Sequence, residues 1–571
     1  VHSLPFKNSN LTWTSNLILE VHMKNYQYRS LNNSIVRLRI MLLQHTRVRF
    51  YIFLAFVALS VFIFRILSIS SHISHANNGS HKCSNNVERT RCFDEPLNRL
   101  DQYCSYDVVQ GEDGSVTFSQ HEGWTLAFLA ITIRHGDRSP IHSLPGSNHK
   151  KIDNSIVKLL DNDAAKFAKR LSSFELQLLD SGDKSSTHGE SLDQTLNPLR
   201  AFKVSDLELS QGQLTSIGFM QHVRIGEILL GAYKDFLGRI TSSKQLYIRS
   251  TNYVRTIQSV AGLVSSLLPH LVVDGTSSSK EVIPIRYYRN EQSEVMHGVG
   301  THSSSHTVTH GVGEAYYEGS CLKSNSLAKQ QANRFLPDKD VMDGLVSKFG
   351  HNVTFKNIAE LVDSSLPNLC HRIPLPCSTS SCLLRSELEK MMSEADRFYC
   401  ERYSGSFGGK NSSNLSLYPF MMEILRHLNK ATKYSVFDST SISSKNEDRE
   451  QIAVFSGHDT VIAPVLSALG VFSKDHPQLC KWPQYASRIV FELYERKRYR
   501  MNNMRRRRNS EVRIEYGVRV VYNGLDVTTF IPTCGEEMTK TSSEVCSLAA
   551  LNHQIEKIIF PYANFNAACA N

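Results

Sequence analysis

Short runs of consecutive apolar residues predict three buried β-strands, at 126–133, 245–249 and 452–455. Helical periodicity between and after these runs predicts three helices, at 212–230, 254–268 and 460–469, the first of them after a Thr or Ser cap. Strands that alternate with helices are typical of a mostly parallel sheet with helices on its faces. The pattern therefore predicts an α/β fold.

A polar segment, 270–450, interrupts this alternation. Its first part lacks a usable pattern, and helical periodicity is confined to 385–400 and 418–431. We interpret the segment as a helical cap that is inserted into the α/β domain.

An apolar stretch at 50–70 contains one charge, Arg65, and about twenty helical residues span the ~30 Å core of a bilayer. Arginines precede the stretch, and the next basic residue after it is Lys82. The positive-inside rule then predicts a type II signal anchor, with a cytoplasmic segment at 1–49, a lumenal stem at 71–122 and the folded domain at 123–571. A cleaved signal peptide is the alternative. Met41 is a plausible start, which leaves open whether residues 1–40 belong to the natural protein.

The 571 residues include 64 Lys and Arg against 54 Asp and Glu, a formal net charge of +10. Such an excess raises nucleic acid or a membrane surface as a partner. The excess lies in residues 1–65 and in a basic loop, 496–508, between antiparallel strands predicted at 488–494 and 512–522. The rest of the chain is net acidic, so we expect no nucleic-acid partner. We interpret the loop as a solvated insertion, with contact to acidic glycan chains as the alternative.

All twelve cysteines follow residue 80, on one side of the predicted anchor, which indicates disulfides in an oxidising lumen. A zinc site at Cys370, Cys377 and Cys382 is the alternative, although the chain has no CxxC pair. The histidine-containing segment 297–313 is interpreted as a surface loop, with metal binding as the alternative. We therefore predict neither a metal nor a cofactor. Lumenal sequons predict surface positions for the asparagines at 78, 352, 411 and 414.

The first candidate chemistry follows the strand at 126–133, in the sequence ITIRHGDRSP. Arg134 and Arg138 flank His135, and two guanidiniums beside a histidine repel one another unless an anion joins them. The forked donors of arginine suit phosphate oxygens, so this turn predicts a phosphate cradle. We expect Gly136 to let the backbone approach the anion and Asp137 to orient the arginines.

Two further strand ends carry chemistry. His458 and Asp459 lie between a strand and a helix, where a helix N-terminus favours an anion. Arg249 and Arg255 lie in a second segment of the same kind, and Arg249 is set aside because it can pair structurally with a carboxylate. Ligands of open α/β sheets bind beyond the carboxyl ends of the strands. The three segments therefore predict one anion site at one edge of the sheet.

These segments resemble the histidine acid phosphatases, a branch of the phosphoglycerate mutase-like superfamily. The resemblance rests on RHGDRSP (134–140), HD (458–459), GQLTSIGFMQH (212–222) and RSTNYVRTIQS (249–259). One departure is Asn252, where many members have Asp.

The resemblance implies a mechanism that needs no metal. His135 would attack phosphorus and form a phosphohistidine, and Asp459 would protonate the leaving oxygen and then help to activate water. The phosphoryl oxygens would be held by Arg134, Arg138, Arg255 and His458.

Similarity to one Golgi type II member of this family also covers 369–382, 465–472, 486–495 and 521–530, and it is weak at 270–360. It implies a Golgi membrane enzyme that removes the 2-O-phosphate of xylose in the glycosaminoglycan–protein linkage region of proteoglycans. One alternative is a broad-specificity acid phosphatase or phytase-like enzyme. Another is an inactive, membrane-tethered glycan-binding protein. The sequence leaves the oligomeric state open.

Overall fold

The computed structural model describes mainly residues 123–141, 174–181, 211–269, 281–288, 334–350, 358–404, 409–433, 449–500 and 511–570, with short pieces at 99–104, 113–114, 190–191, 295–297 and 309–330. The predicted anchor at 50–70 and the cytoplasmic segment lie outside these residues. Within the described part of the chain, no helix is long and apolar enough to cross a membrane.

The described part of the chain contains twelve strands and twelve α-helices. The strands are β1 (Thr125–Arg134), β2 (Phe174–Asp180), β3 (Glu190–Ser191), β4 (Leu246–Ser250), β5 (Glu281–Tyr287), β6 (Thr309–Val312), β7 (Ala315–Glu318), β8 (Ile452–Gly457), β9 (Arg488–Arg500), β10 (Glu511–Tyr522), β11 (Leu525–Asp526) and β12 (Cys546–Ser547). The helices are α1 (Arg99–Cys104), α2 (Ser216–Ala232), α3 (Lys234–Leu237), α4 (Val254–Leu267), α5 (Lys339–Phe349), α6 (Ile358–Cys370), α7 (Arg385–Tyr403), α8 (Gly409–Ala431), α9 (Asp459–Ala468), α10 (Pro532–Thr541), α11 (Leu548–His553) and α12 (Phe565–Ala570).

A ten-stranded mixed sheet forms the centre, in the order β11-β10-β9-β1-β8-β4-β5-β2-β3, with β12 on β10. The strands from β1 through β8, β4 and β5 to β2 are parallel, whereas β9, β10 and β3 run antiparallel to their neighbours. The predicted α/β fold is confirmed in this form. All three strands predicted from apolar runs lie in the parallel part.

The two faces of the sheet are covered by separate apolar cores. Leu129, Ile131 and Ile133 of β1 pack into the core on the side of α2 and α4. Phe128 and Ala130 pack into the core that includes α6, α7 and α8. A strand that is buried on both faces needs apolar side chains at every position, which explains the continuous run that predicted it.

Three sequence expectations need correction. The segment predicted as a helical cap contains β5, a full member of the sheet, so the helical part begins after it. The predicted stem contains α1, whose Leu100 and Tyr103 are buried in the core. Asn414, a sequon asparagine, is buried within α8 and does not lie on the surface.

Cysteines of the described part are joined in five disulfides, Cys104–Cys370, Cys321–Cys569, Cys377–Cys382, Cys400–Cys480 and Cys534–Cys546. The three cysteines of the zinc alternative are all oxidised in these pairs. No group of His, Cys, Asp or Glu suited to a metal occurs among the described residues, and most of the segment 297–313 lies outside them.

Candidate active site

The predicted site residues meet at the carboxyl edge of the parallel strands. His135 follows β1, Asp459 begins α9 after β8, and Arg255 lies in the first turn of α4 after β4. β8 is hydrogen-bonded between β1 and β4, so the three strand ends are neighbours. The His135 and His458 rings lie 5.3 Å apart between centroids, and Arg255 Nη2 lies 3.4 Å from His458 Nδ1.

His135 is fixed as a neutral imidazole with one free nitrogen. Its backbone N–H donates to the Gly457 carbonyl at 2.9 Å, and its Nδ1 lies 2.8 Å from the Gly136 carbonyl. A carbonyl oxygen only accepts, so Nδ1 carries the proton and Nε2 keeps its lone pair. Burial, followed by the charges of Arg255 and Arg134, lowers the pKa of His135 well below its ordinary value. The ring is therefore an uncharged nucleophile even in mildly acidic solution.

Arg134 and Arg138 are buried and held by different partners. Arg134 Nη1 donates to the Tyr103 hydroxyl at 2.5 Å and to the Pro483 carbonyl. Arg138 forms a bidentate pair with Asp363, with Nη2 to Oδ1 at 2.6 Å and Nη1 to Oδ2 at 3.2 Å. Both guanidiniums are thus fixed in place by groups outside the motif.

Unsatisfied donors remain in this cluster. The buried Nε atoms of Arg134, Arg138 and Arg255 have no hydrogen-bond partner among the described residues. Burial, together with repulsion from Arg138, lowers the pKa of Arg255 to about 10, so this side chain is still charged at neutral pH. Three charged guanidiniums with unmet N–H groups fit an anion with several oxygens, such as a phosphoryl group.

Asp459 is surrounded by donors. Its Oδ2 accepts from Trp482 Nε1 at 2.5 Å and from the Tyr399 hydroxyl at 3.1 Å, and it lies 3.3 Å from Arg134 Nη2. Its Oδ1 accepts from the Thr460 N–H at 2.9 Å. Burial alone would raise the pKa of Asp459, but Arg134 and the Trp482 hydrogen bond outweigh it and lower the pKa.

One expectation about the motif needs correction, and Gly136 has a packing role beside the expected one. Asp137 does not bind the arginines: its Oδ2 accepts from Thr215 Oγ1 at 2.6 Å and from His371 Nε2 at 2.5 Å. Gly136 is required by packing against α2, because a Cβ there would lie 2.1 Å from the Gly218 carbonyl oxygen. Both residues therefore fix the turn onto neighbouring elements.

The site also includes residues that the sequence reasoning missed, namely Tyr103, Asp363, His371, Tyr399, Trp482 and Tyr485. The Arg134 guanidinium lies 4.6 Å from the Tyr485 ring centroid. Four of these residues lie beside cysteines, which is a signal that the sequence did contain. Cys104–Cys370 joins the neighbours of Tyr103 and His371, and Cys400–Cys480 joins the segments of Tyr399 and Trp482.

Arg249 is paired, as its exclusion from the site anticipated. Its guanidinium is buried in β4 and contacts the Glu423 carboxylate of α8. This ion pair joins the sheet to the helical layer.

The fold and the cationic site define a phosphatase class. Residues 125–523 match the model of the histidine phosphatase superfamily (branch 2). The chain therefore belongs to this superfamily, whose name describes the activity that the neutral histidine and the arginine cradle suit.

Individual relatives indicate which phosphatases of this superfamily the chain is similar to. The chain is 25% identical to 2-phosphoxylose phosphatase 1 of Mus musculus over 526 residues, which cover 89% of this chain and 93% of that protein. The Homo sapiens protein of the same name is 24% identical over 527 residues, with the same coverage. Among solved structures, the phytase from D. castellii aligns with a TM-score of 0.40 and 13% identity, covering 83% of this chain and 88% of that chain.

Proposed function

We propose that this protein is a phosphomonoesterase that works through a phosphohistidine at His135 and removes the 2-O-phosphate of xylose in the glycosaminoglycan–protein linkage region. The observation that supports this activity is the protonation state of His135. Its proton is fixed on Nδ1, its charge is suppressed, and its Nε2 is left to attack beside three guanidiniums. The similarity to proteins named 2-phosphoxylose phosphatase 1 supports the substrate.

In the first step, Nε2 of His135 forms a bond to phosphorus while the bond from phosphorus to the sugar oxygen breaks. Arg134, Arg138 and Arg255 stabilise the negative charge on the transferring group. In this proposal His458 contacts the phosphoryl oxygens through Nδ1, which lies 3.4 Å from Arg255 Nη2, while its Nε2 lies 3.0 Å from Thr251 Oγ1.

The leaving sugar oxygen needs a proton, which Asp459 donates in this proposal. Asp459 is ionised in the free site, because its pKa is lowered. Below about pH 6 most of the phosphate ester carries one proton. When this monoanion binds, it transfers that proton to Asp459. In the second step Asp459 takes a proton from water, the hydroxide attacks phosphorus, and His135 and inorganic phosphate are released.

The substrate test compares turnover of a phosphoxylose linkage oligosaccharide with turnover of simple phosphate esters and inositol phosphates. We expect kcat/KM to be highest for the linkage oligosaccharide. Equal values on all substrates would favour the broad-specificity alternative. Glycan binding without any turnover at mildly acidic pH would favour the inactive alternative.

We also propose that the protein is a type II Golgi membrane protein with this site in the lumen. The apolar stretch at 50–70 and the disulfides support this topology. Protease treatment of sealed Golgi vesicles should spare the domain and remove an epitope placed before residue 50. Digestion of the domain in sealed vesicles would exclude this topology.

A further inference from the structure

A groove with a cavity volume of about 840 Å³ lies far from the catalytic residues, where β9 and β10 extend beyond β1. Trp124, which precedes β1, lines it together with Arg496, Arg498 and Arg513. The ten residues of β1 separate Trp124 from the catalytic edge, a distance of about 30 Å at the rise of a β-strand. We call it the arginine groove.

The strand register places like charges opposite each other. Arg498 pairs with Arg513 across β9 and β10, and Arg496 pairs with Glu515. Like charges at directly opposite positions destabilise an antiparallel pair. The Glu515 carboxylate is shared by Arg496 and Arg498, at 3.1 and 3.0 Å, and Arg513 has no carboxylate partner among the described residues. The groove lining holds these three arginines against two carboxylates, Glu515 and Glu537, so it keeps positive charge that the carboxylates do not neutralise.

The basic residues are also spaced so that they can contact successive negative charges along a polymer. Arg496 and Arg498 lie on the same face of β9, about 7 Å apart along the strand. Arg496 is held in place, with its guanidinium 4.2 Å from the Trp124 ring centroid, whereas the side chain of Arg498 is 60% exposed. The first part of the predicted basic loop is thus regular strand up to Arg500, and this strand presents Arg496 and Arg498.

We propose that the arginine groove binds an acidic polysaccharide through its sulfate or carboxylate groups. Arginine forks bind such groups in bidentate fashion. The choice of a polysaccharide rests on the proposed function, because the glycosaminoglycan–protein linkage region is where such a chain is joined to its protein. At about 30 Å from His135, the groove tethers the chain and takes no part in the reaction.

The test measures binding of the full-length protein in detergent to heparin, to uncharged dextran of matched length and to inorganic sulfate. We expect Arg498→Ser/Arg513→Ser to weaken heparin binding by about tenfold or more and to leave turnover of a small phosphate ester unchanged. The matched control is Lys497→Ser, which removes one charge from the neighbouring position of β9 and should have little effect.

Unchanged heparin binding in the double variant, or an equal loss in the Lys497 control, would overturn the proposal. Inorganic sulfate that competes at millimolar concentration as well as heparin does would show a small-anion site instead. Because binding is measured without turnover, a protein that binds heparin but leaves phosphoxylose intact would contradict only the proposed substrate.

A different observation concerns the general acid. Trp482 and Tyr399 stack with ring centroids 5.1 Å apart and an interplanar angle of 13°, and both donate to the same oxygen of Asp459. Cys400 follows Tyr399, Cys480 lies two residues before Trp482, and the two cysteines are joined. The geometry points to Trp482 and Tyr399 as positioning residues that aim Asp459 and leave the second lone pair of its Oδ1, beside the bond from the Thr460 N–H, for proton transfer.

The groups around Asp459 determine how the loss of one hydrogen bond affects its carboxylate. The charged groups that face it are Arg134, Arg138, Arg255 and Arg402, and the further phenols near it are those of Tyr103 and Tyr403. These groups stay in place when one donor is removed, so the lost hydrogen bond alone destabilises the carboxylate.

We expect Trp482→Phe to move the alkaline limb of the kcat profile upward by about one pH unit on an ester with a poor leaving group. Tyr399→Phe, which loses a longer bond, should give a smaller shift in the same direction. Tyr403→Phe is the control, because no described hydrogen bond joins its hydroxyl to Asp459. Equal profiles in all three variants, or an equal shift in the control, would refute the positioning role.

Discussion

Single residues of the site depend on partners from distant segments. The motif supplies His135 and two arginines, but Tyr103 of α1 and Asp363 of α6 hold those arginines. The motif's own carboxylate, on Asp137, binds away from them. The reactivity proposed for His135 would therefore depend on several chain segments, with the local sequence RHGDRSP as one contributor.

The roles proposed for His135 and Asp459 differ in their dependence on the leaving group. In the proposed mechanism His135→Ala removes the atom that bonds to phosphorus and should abolish turnover of every ester. Asp459→Asn should slow esters with poor leaving groups by about 10²–10⁴-fold and good ones much less, because only poor leaving groups need the proton. The measurement is kcat across aryl and alkyl phosphates. Wild-type turnover by His135→Ala would contradict the phosphohistidine mechanism.

Replacing Asp363 should make the stability of the folded protein depend more strongly on bound phosphate. Asp363→Asn leaves the buried Arg138 without its counter-charge and should lower the free energy of unfolding by about 3 kcal/mol. Inorganic phosphate should restore more stability to this variant than to the wild type, since it supplies the missing charge. Urea unfolding with and without phosphate measures both effects.

The matched control for Asp363 is Glu423→Gln, which breaks the buried pair with Arg249. This pair does not face the cradle, so phosphate should give no extra rescue. Identical phosphate responses in the two variants would show that Arg138 does not bind the anion.

At the scale of elements, the sequence predicted what a repeated local pattern can specify. β1 and β8 were found because strands buried on both faces are continuously apolar, and α2 because its cap, Thr215, accepts from the Gly218 N–H at 3.1 Å. β5 was missed because Pro284 and Arg286 break its apolar run. The helix α1 has only six residues and is held by tertiary packing and a disulfide, which leave no local periodicity.

The same limit explains which residues of the site could be predicted from the sequence. Spacing and motif placed all six predicted residues at one sheet edge, because parallel strands end together. Asp363, Tyr399 and Trp482 could not be placed in this way, because no local pattern links them to their partners. The separation is 225 residues for Asp363 and Arg138, 60 for Tyr399 and Asp459, and 23 for Trp482 and Asp459. Only Tyr399 and Trp482 were marked, by the nearby Cys400 and Cys480, and Asp363 has no adjacent cysteine.

Close contact between the motif turn and α2 gives a prediction at this scale. A Cβ on Gly218 would lie 2.1 Å from the Asp137 carbonyl oxygen, so Gly218→Ala must push the turn away from the helix. We expect a loss of stability of about 1–3 kcal/mol and a fall in kcat/KM of about 10²-fold, because a displaced turn misaligns His135.

Gly231 in the same helix is the control, because a Cβ there meets nothing within 4 Å. Gly231→Ala should instead raise stability by about 0.5–1 kcal/mol through helix propensity. Thermal unfolding and kcat/KM of the two variants separate the effects. Unchanged activity of Gly218→Ala would show that the turn is not fixed by this contact.

At the scale of the whole molecule, disulfides connect the helical layer to the sheet edge that carries the site. Cys104–Cys370 closes a separation of 266 residues, and Cys400–Cys480 one of 80. Cys534–Cys546 closes only 12 residues and lies in the C-terminal segment. The first two are therefore expected to affect both stability and catalysis.

Replacing each disulfide by a pair of serines tests whether the disulfides near the site affect catalysis as well as stability. In the chain-entropy model, loss of Cys400–Cys480 costs about 4.5 kcal/mol and loss of Cys534–Cys546 about 3 kcal/mol. At a temperature where both variants are folded, we expect only Cys400→Ser/Cys480→Ser to lose turnover of poor leaving groups. An equal loss in the Cys534→Ser/Cys546→Ser control would mean that the effect is one of general stability.

The placement of Tyr103, His371, Tyr399 and Trp482 beside two disulfides ties catalysis to the oxidation state of the chain. A newly made chain in a reducing compartment would have its nucleophile and arginines, yet the segments that aim them would be unlinked. In the proposed lumenal topology, activity would then begin only after transfer into the oxidising lumen, where both links form. Under that topology, phosphate esters of the cytosol would be protected from this enzyme by thiol chemistry as well as by the membrane.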